Sequence, residues 1–211
     1  MSNKHNVVKI IEILKNTYPD AKCSLNFKTP FELGIAVILS AQCTDDRVNK
    51  TTPYIFSKYN TPQDFVNLDI KILENLIHSC GFYKTKSRNI KAYAKKILEE
   101  YDGKVPKDMN KLINLPGIGR KSANVIMLEA FNMPLGIAVD THAKRISNRL
   151  GLSTNNEPSK IEQDLLKIIP IKYYKDVNHL FIWHGRNICV SRNPKCNNCP
   201  ISNLCNFFIT S

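Results

Sequence analysis

The stretch Leu115-Pro116-Gly117-Ile118-Gly119-Arg120-Lys121 decides how this chain is read. A proline and two glycines around a single apolar residue permit a tight turn and let the backbone approach another molecule closely. The segment that follows, Ser122 to Ala130, is mostly apolar and reads as a buried helix. The amides of a helix start are unpaired and lie at the positive end of the dipole, so such a turn suits a phosphate oxygen. Beside it stands a primary amine, Lys121. Taken alone, the turn reads equally well as a plain helix connector, because glycine-rich turns are weak signals.

Working outward, the apolar periodicity is helical throughout. Val7, Ile10, Ile11 and Leu14 recur at helix spacing, and Thr29-Pro30-Phe31-Glu32 is a capping-box pattern with proline at the first helical position. It opens a strongly apolar segment to Leu39, expected to be buried on most sides. Asp45 or Asp46 is expected to cap a third helix toward Ser57, and Thr61-Pro62-Gln63-Asp64 repeats the proline device. Ile72, Leu73, Leu76 and Ile77 form an amphipathic stripe closed by Gly81. A basic-faced helix is predicted from about Lys86 to Tyr101, then a short one over Asp108 to Asn114. Beyond the opening turn and its helix come Thr141 to Leu150, Pro158 to Ile168 with a second capping-box pattern at Ser159 and Glu162, and Asp176 to Cys189. There is no period-2 alternation. The expectation is an all-α fold of roughly ten helices with short loops, in two lobes packed side by side.

The chain has 211 residues, of which 43% are hydrophobic, enough for one substantial core or two modest ones and too many for a disordered chain. No apolar run approaches the ~20 residues of a membrane span. Glu12 and Lys15 interrupt the apolar positions near the N-terminus, so no secretory leader is expected and the protein is placed in the cytoplasm. The net charge of +12 suggests an anionic partner, nucleic acid first. Lysine far outnumbers arginine, and Asn and Ile are frequent, a bias that an AT-rich genome produces by itself, so the charge is supporting evidence only.

Of seven cysteines, Cys23, Cys43 and Cys80 stand among apolar neighbours and read as buried thiols. The other four, Cys189, Cys196, Cys199 and Cys205, follow a C-x6-C-x2-C-x5-C spacing with polar, turn-rich loops between them. A reducing cytosol argues against disulfides. Four thiolates wrapped around one centre suit tetrahedral zinc or a four-cysteine iron–sulfur cluster. One short pair with long arms favours a cubane cluster over the two short pairs usual for zinc. Arg192 and Lys195 lie in the first loop, either as a solvated surface or as a basic finger for phosphates.

Leu39-Ser40-Ala41-Gln42-Cys43-Thr44-Asp45, Leu115 to Ala123, the segment Ala138-Val139-Asp140-Thr141-His142 and the cysteine spacing occur in this order over nearly the whole chain. Together they resemble the endonuclease III family, bifunctional DNA glycosylase/AP lyases of the helix-hairpin-helix superfamily. The resemblance implies a six-helix barrel lobe over residues 22–134 containing the hairpin, and a second lobe of 1–21 with 135–211, carrying a single [4Fe-4S] cluster on the 189–205 loop, with the active-site groove between the lobes. It implies a hairpin that binds the DNA backbone through Gly117, Gly119 and Arg120, with Lys121 as nucleophile and Asp140 as the essential aspartate. The implied substrate is double-stranded DNA carrying oxidised or ring-damaged pyrimidines or abasic sites, handled by a monomer. Gln42 and Phe82 would fill the space left by a flipped nucleotide; His142 and Arg145 would face the groove. Phe82 departs from the leucine frequent in the family, although apolar wedges in general part base steps. The segment between Lys121 and Asp140 is slightly longer than the family pattern.

The residues leave other readings open. Lys121 also suits plain phosphate binding, and Asp140 is also a good N-cap for the helix that follows. Gln42 reads as an exposed helix-end amide, and His142 and Arg145 as a solvated face. An adenine-mismatch glycosylase shares the hairpin and cluster but lacks the lysine nucleophile and usually carries a further C-terminal domain. A non-enzymatic DNA-binding protein with a four-cysteine zinc site is the alternative from another class.

Overall fold

The computed structural model describes residues 3–210, which divide into two compact units. One runs to Lys22 and resumes at Pro134; the other is Cys23–Met133. No strand occurs among the described residues, as the helical periodicity requires.

The first unit opens with α1 (Asn3–Thr17), whose stripe Val7, Ile10, Ile11 and Leu14 is fully buried. The second unit holds α2 (Pro30–Ser40), α3 (Asp45–Lys58), α4 (Pro62–Asn67), α5 (Ile70–Ile77), α6 (Tyr83–Glu100), α7 (Met109–Ile113) and α8 (Arg120–Phe131). Every residue of α2 from Phe31 to Leu39 is buried. Gly34, inside this helix, makes room for a neighbour: a Cβ there would lie 1.9 Å from the Tyr93 hydroxyl. Tyr93 in turn stacks on Phe31 at 5.5 Å between ring centroids and is completely buried. The chain returns to the first unit with α9 (Thr141–Arg149), α10 (Pro158–Ile168), α11 (Tyr174–Asn187) and α12 (Asn206–Ile209). There the α1 stripe packs with Ile137, Val139, Ile146, Leu165, Val177 and Phe181. Lys15 pairs with Asp176 at 3.0 Å, and the Tyr173 hydroxyl donates to Glu12.

Several local expectations shift. Thr44 caps α3, its hydroxyl accepting from Arg47 N–H; Asp45 and Asp46 lie inside the first turn. In the Thr29 box, Glu32 reaches back to Lys28 N–H at 2.6 Å, one residue before the N-cap. At α10 the N-cap is Glu157, and the Ser159 hydroxyl donates to the Glu157 carboxylate, because Pro158 takes the first helical position. Helix α6 starts at Tyr83, three residues before the expected start, since left-handed Phe82 (φ 48°) ends the preceding turn. That helix is also less basic outside than it reads. The Lys91 ammonium turns in on the last carbonyls of α4, at Phe65 and Val66, and on Leu68, where cations suit a helix C-terminus. The α5 stripe buries Leu73 and Ile77 but exposes Ile72, and a 3-10 turn, His78–Cys80, intervenes before Gly81. Of the three scattered cysteines only Cys80 is buried; Cys23 and Cys43 are partly exposed.

Candidate functional site

The opening turn is a helix-to-helix hairpin between α7 and α8. Leu115 and Ile118 are buried and anchor it, with Ile118 N–H donating to Leu115 C=O at 3.1 Å. Its two glycines differ in purpose. Gly117 has φ +78°, and a Cβ there would meet Ile38 at 3.1 Å and Asn89 at 3.2 Å, so this protein's own packing demands glycine. Gly119 has ordinary extended backbone (φ −94°, ψ 177°), and nothing lies within 4 Å of where its Cβ would stand. Its missing side chain leaves open space, which suits a molecule that must come close. Gly119 is the N-cap of α8, and no side chain caps this helix. Arg120 and Lys121, the first two helical residues, are both exposed.

Asp140 is the N-cap of α9 in the other unit. Its Oδ1 accepts from Ala143 N–H at 2.8 Å, which satisfies one first-turn amide and holds the carboxylate in place, half-buried. One turn along, Arg145 donates from Nε to Cys189 C=O at 2.9 Å and from Nη2 to Gly185 C=O at 3.0 Å. It also lies 3.1 Å from His142 Nδ1. Burial, foremost, holds His142 below the ordinary histidine range; Asp140 opposes that, and Arg145 adds to it. A Cβ on Gly185 would meet His142 at 2.7 Å, so glycine there lets α11 approach the His142–Arg145 pair. Arg145 thus braces α9 against the segment that leads into the cysteine loop.

Gln42 and Phe82 both belong to the second unit and share a feature no sequence motif announced. Each is a non-glycine residue in left-handed backbone, at φ 52° and 48°, and each is exposed, Phe82 by 64%. Left-handed non-glycine residues cost energy and concentrate at functional sites. Between the two turns sits Lys86, a buried lysine whose ammonium donates at 2.8 Å to both Leu39 C=O and Cys80 C=O. Burial pushes its pKa down, with the Cys43 and Cys80 thiols opposing. Its position in a helix of polar residues gave no sign of this role.

Cys189, Cys196, Cys199 and Cys205 line one apolar hollow together with Ile146, Leu150 and Ile201. Among the described residues no group of three or more His, Cys, Asp or Glu side chains is placed to hold a single metal ion. Two residues unnoticed in the sequence serve this ring. Arg149 donates to Cys189 Sγ at 3.2 Å and to the Val190 and Ser191 carbonyls, placing a cation where thiolate charge would collect. His184, fully buried, lies between the Tyr18 hydroxyl at 3.1 Å and Cys199 Sγ at 3.6 Å; burial pushes it down to about 4, so it is neutral near pH 7. The only sequence hint for Arg149 was a cation in the last turn of its helix. Arg192 and Lys195 are exposed on the loop between the first two cysteines.

Residues 35–171 match the model of the HhH-GPD superfamily of base excision DNA repair proteins, and residues 189–205 match the iron–sulfur binding domain of endonuclease III. Endonuclease III of Synechocystis sp. is 46% identical over 97% of this chain and 93% of its own length. The chain belongs to the endonuclease III family. Two solved endonuclease III structures, one a non-covalent DNA complex and one a trapped DNA covalent intermediate, superpose with a TM-score of 0.93 each at 41% identity. They cover all of this chain, which spans 98% and 99% of them. This endonuclease III relative is a base excision repair enzyme for damaged pyrimidines, with DNA glycosylase and AP lyase activities. The matched iron–sulfur domain begins at Cys189 and ends at Cys205, the outermost of the four ring cysteines. The chain therefore binds an iron–sulfur cluster, and the reading as a non-enzymatic zinc protein is set aside.

Proposed function

We propose that the chain acts on duplex DNA carrying oxidised or ring-damaged pyrimidines, or abasic sites, with Lys121 as nucleophile and Asp140 as proton carrier. The observation that carries this reading is the start of α8: open space before Gly119, no side chain capping the helix, and an exposed lysine one residue inside it. The amides of Gly119 and Arg120, with the Arg120 side chain, take a backbone phosphate on this reading. A base inside a duplex is out of reach of any side chain, so the nucleotide must leave the stack, at a cost of a few kcal/mol that damage reduces. Phe82 and Gln42 enter the vacated space, Phe82 as an apolar wedge and Gln42 as a partner for the orphaned base.

Neutral Lys121 attacks the sugar C1′ and expels the damaged base, giving a Schiff base after ring opening. The iminium acidifies the C2′ proton; its removal drives β-elimination and breaks the strand on the 3′ side. Amines attack only unprotonated, so a group must accept the lysine proton and later return one; Asp140, already oriented by its cap bond, takes that role. His142 is a further backbone contact and Arg145 a positioning residue for it. Arg192 and Lys195 add phosphate contacts from the cysteine loop.

Cys189, Cys196, Cys199 and Cys205, which line one apolar hollow, would hold a [4Fe-4S] cluster. When bound, the cluster supplies a rigid cross-link for a loop with little regular structure. Arg149 and His184 hold the ligand sulfurs by charge and hydrogen bonding. We place the enzyme in the cytoplasm, on chromosomal DNA, as a monomer.

Borohydride trapping on duplex DNA containing thymine glycol tests the reading. The wild-type chain is expected to give a covalent protein–DNA adduct and Lys121→Ala none. Strand cleavage by Lys121→Ala at the wild-type rate would overturn it.

A further inference from the structure

Gln42 and Phe82 stand on turns remote in sequence, yet a single side chain holds both turns. The Gln42 turn leaves the C-terminus of α2, where carbonyls run out of partners inside the helix. Val37 C=O accepts from the Ser40 hydroxyl at 2.9 Å, and Ser40 C=O accepts from Cys43 N–H at 3.1 Å. Leu39 C=O accepts from the Lys86 ammonium at 2.8 Å. The Phe82 turn leaves the 3-10 turn His78–Cys80, where Gly81 N–H donates to His78 C=O at 3.2 Å. Here Cys80 C=O accepts from the same Lys86 ammonium, again at 2.8 Å. Lys86 also grips this turn by its backbone, its N–H donating to Phe82 C=O at 3.0 Å. Both turns are strained. Gln42 (φ 52°) and Phe82 (φ 48°) hold left-handed backbone without being glycine, and Gly81 before Phe82 is at positive φ as well (68°). Such backbone persists only where surrounding bonds over-determine it. A second tie, Thr51 Oγ1 to Ser79 Oγ at 3.1 Å, lies at the surface; Lys86 is 4% exposed.

We propose that Lys86 is a positioning residue for lesion capture: its ammonium fixes the spacing of the Gln42 and Phe82 turns, so that both side chains enter the duplex together. The proposal rests on the reading of Gln42 and Phe82 given above and deepens it. Two side chains on separate turns must share the gap left by one nucleotide, and a misplacement of about 1 Å can cost about a hundredfold in rate. The two turns therefore need a common anchor. An ammonium is well suited to that place. Its three donors let one nitrogen serve both carbonyls, and a cation is favoured at the C-terminus of α2. Burial keeps water from competing for the same two carbonyls, which strengthens both bonds. An ammonium in such surroundings is costly unless its donors are used, and an apolar side chain would fill the same volume without that cost. What the ammonium adds, and an apolar side chain would not, is the bridge itself. Buried as it is, Lys86 does not reach the DNA; it acts through Gln42 and Phe82, both exposed.

The test uses the full chain with its cluster, and a duplex that carries an uncleavable abasic analogue opposite 2-aminopurine, a base whose fluorescence rises when it loses its stacking neighbours. Saturating wild-type protein is expected to raise the fluorescence, and Phe82→Ala to lose most of the rise. Lys86→Met keeps the stem and removes the donors. It is expected to stay folded at the assay temperature and to saturate the same duplex, yet to show the small rise of Phe82→Ala. Its single-turnover excision of thymine glycol at saturating protein is expected to fall between about tenfold and a hundredfold. Lys86→Arg restores a cation with several donors and is expected to recover both readouts. A lysine that serves bulk stability alone lowers the melting temperature of Lys86→Met and leaves the rise of the folded, saturated complex at the wild-type level; that outcome overturns the proposal. Recovery of stability without the rise in Lys86→Arg overturns it too. Where Lys86→Met does not fold, Lys86→Gln, which keeps an amide donor, is read in the same way: a reduced rise supports the bridge and a full one overturns it. A wild-type rise in both Phe82→Ala and Gln42→Ala removes these side chains from the duplex and overturns the parent reading together with the proposal. A lost rise there, beside a full rise in Lys86→Met, overturns the bridge alone.

Discussion

Two helix starts, one in each unit, solve the same problem in opposite ways. Every helix begins with amides that have no partner inside it. Helix α9 meets this with its own side chain, Asp140, which accepts from Ala143 N–H at 2.8 Å. Helix α8 has Gly119 at the same position, no side-chain cap, and empty space in front. The capped start is a finished structural element that also carries a carboxylate. The other start has no side-chain cap, and on the proposed reading an anion completes it. The proposed function uses both: a fixed acid for proton transfer and a seat for a backbone phosphate.

The contrast is open to direct attack. The largest effect is expected from Asp140→Asn. Asparagine caps as well as aspartate, so the melting temperature should stay near wild type while strand cleavage falls between about a hundredfold and ten-thousandfold. Retained activity would reduce Asp140 to a cap. Next is Gly119→Asp, which gives α8 the cap that α9 has. Thermal unfolding should show equal or greater stability, while affinity for abasic-analogue DNA drops about a hundredfold, since a carboxylate then occupies and repels the phosphate seat. Tight binding by this variant would end the phosphate reading. Gly117→Ala sharpens the difference between the two hairpin glycines: left-handed backbone and the Ile38 and Asn89 contacts should cost about 2 kcal/mol in urea unfolding, whereas Gly119→Ala should cost well under 1. The smallest effect is the cap itself, where Asp140→Ala should unfold about 1 kcal/mol more easily than Asp140→Asn.

A third lysine extends the lesson. Lys86 and Lys121 both stand in the first turns of helices and look alike in sequence. One is exposed beside an empty seat; the other is buried and donates to two carbonyls from separate turns. A lysine side chain carries no label for inward or outward. Its direction follows from whether carbonyls converge within reach of the ammonium, and those of Leu39 and Cys80 come from segments about forty residues apart. Arg149 and His184 were hidden for the same reason, since both act on cysteines that only the folded loop brings near.

The family, the all-helical course, the glycine hairpin with Lys121 behind it, the cap at Asp140 and the four ring cysteines were legible in the residues themselves. Each is a local pattern: a turn, a cap or a spacing depends on neighbours within a few positions along the chain. The tertiary structure alone decided which hairpin glycine serves the fold and which leaves space, because that depends on Ile38 and Asn89 from other helices. It alone turned Lys86 inward and set Gly34 against the Tyr93 hydroxyl. Such facts depend on distances between segments far apart in sequence, which packing determines and no short window of residues encodes.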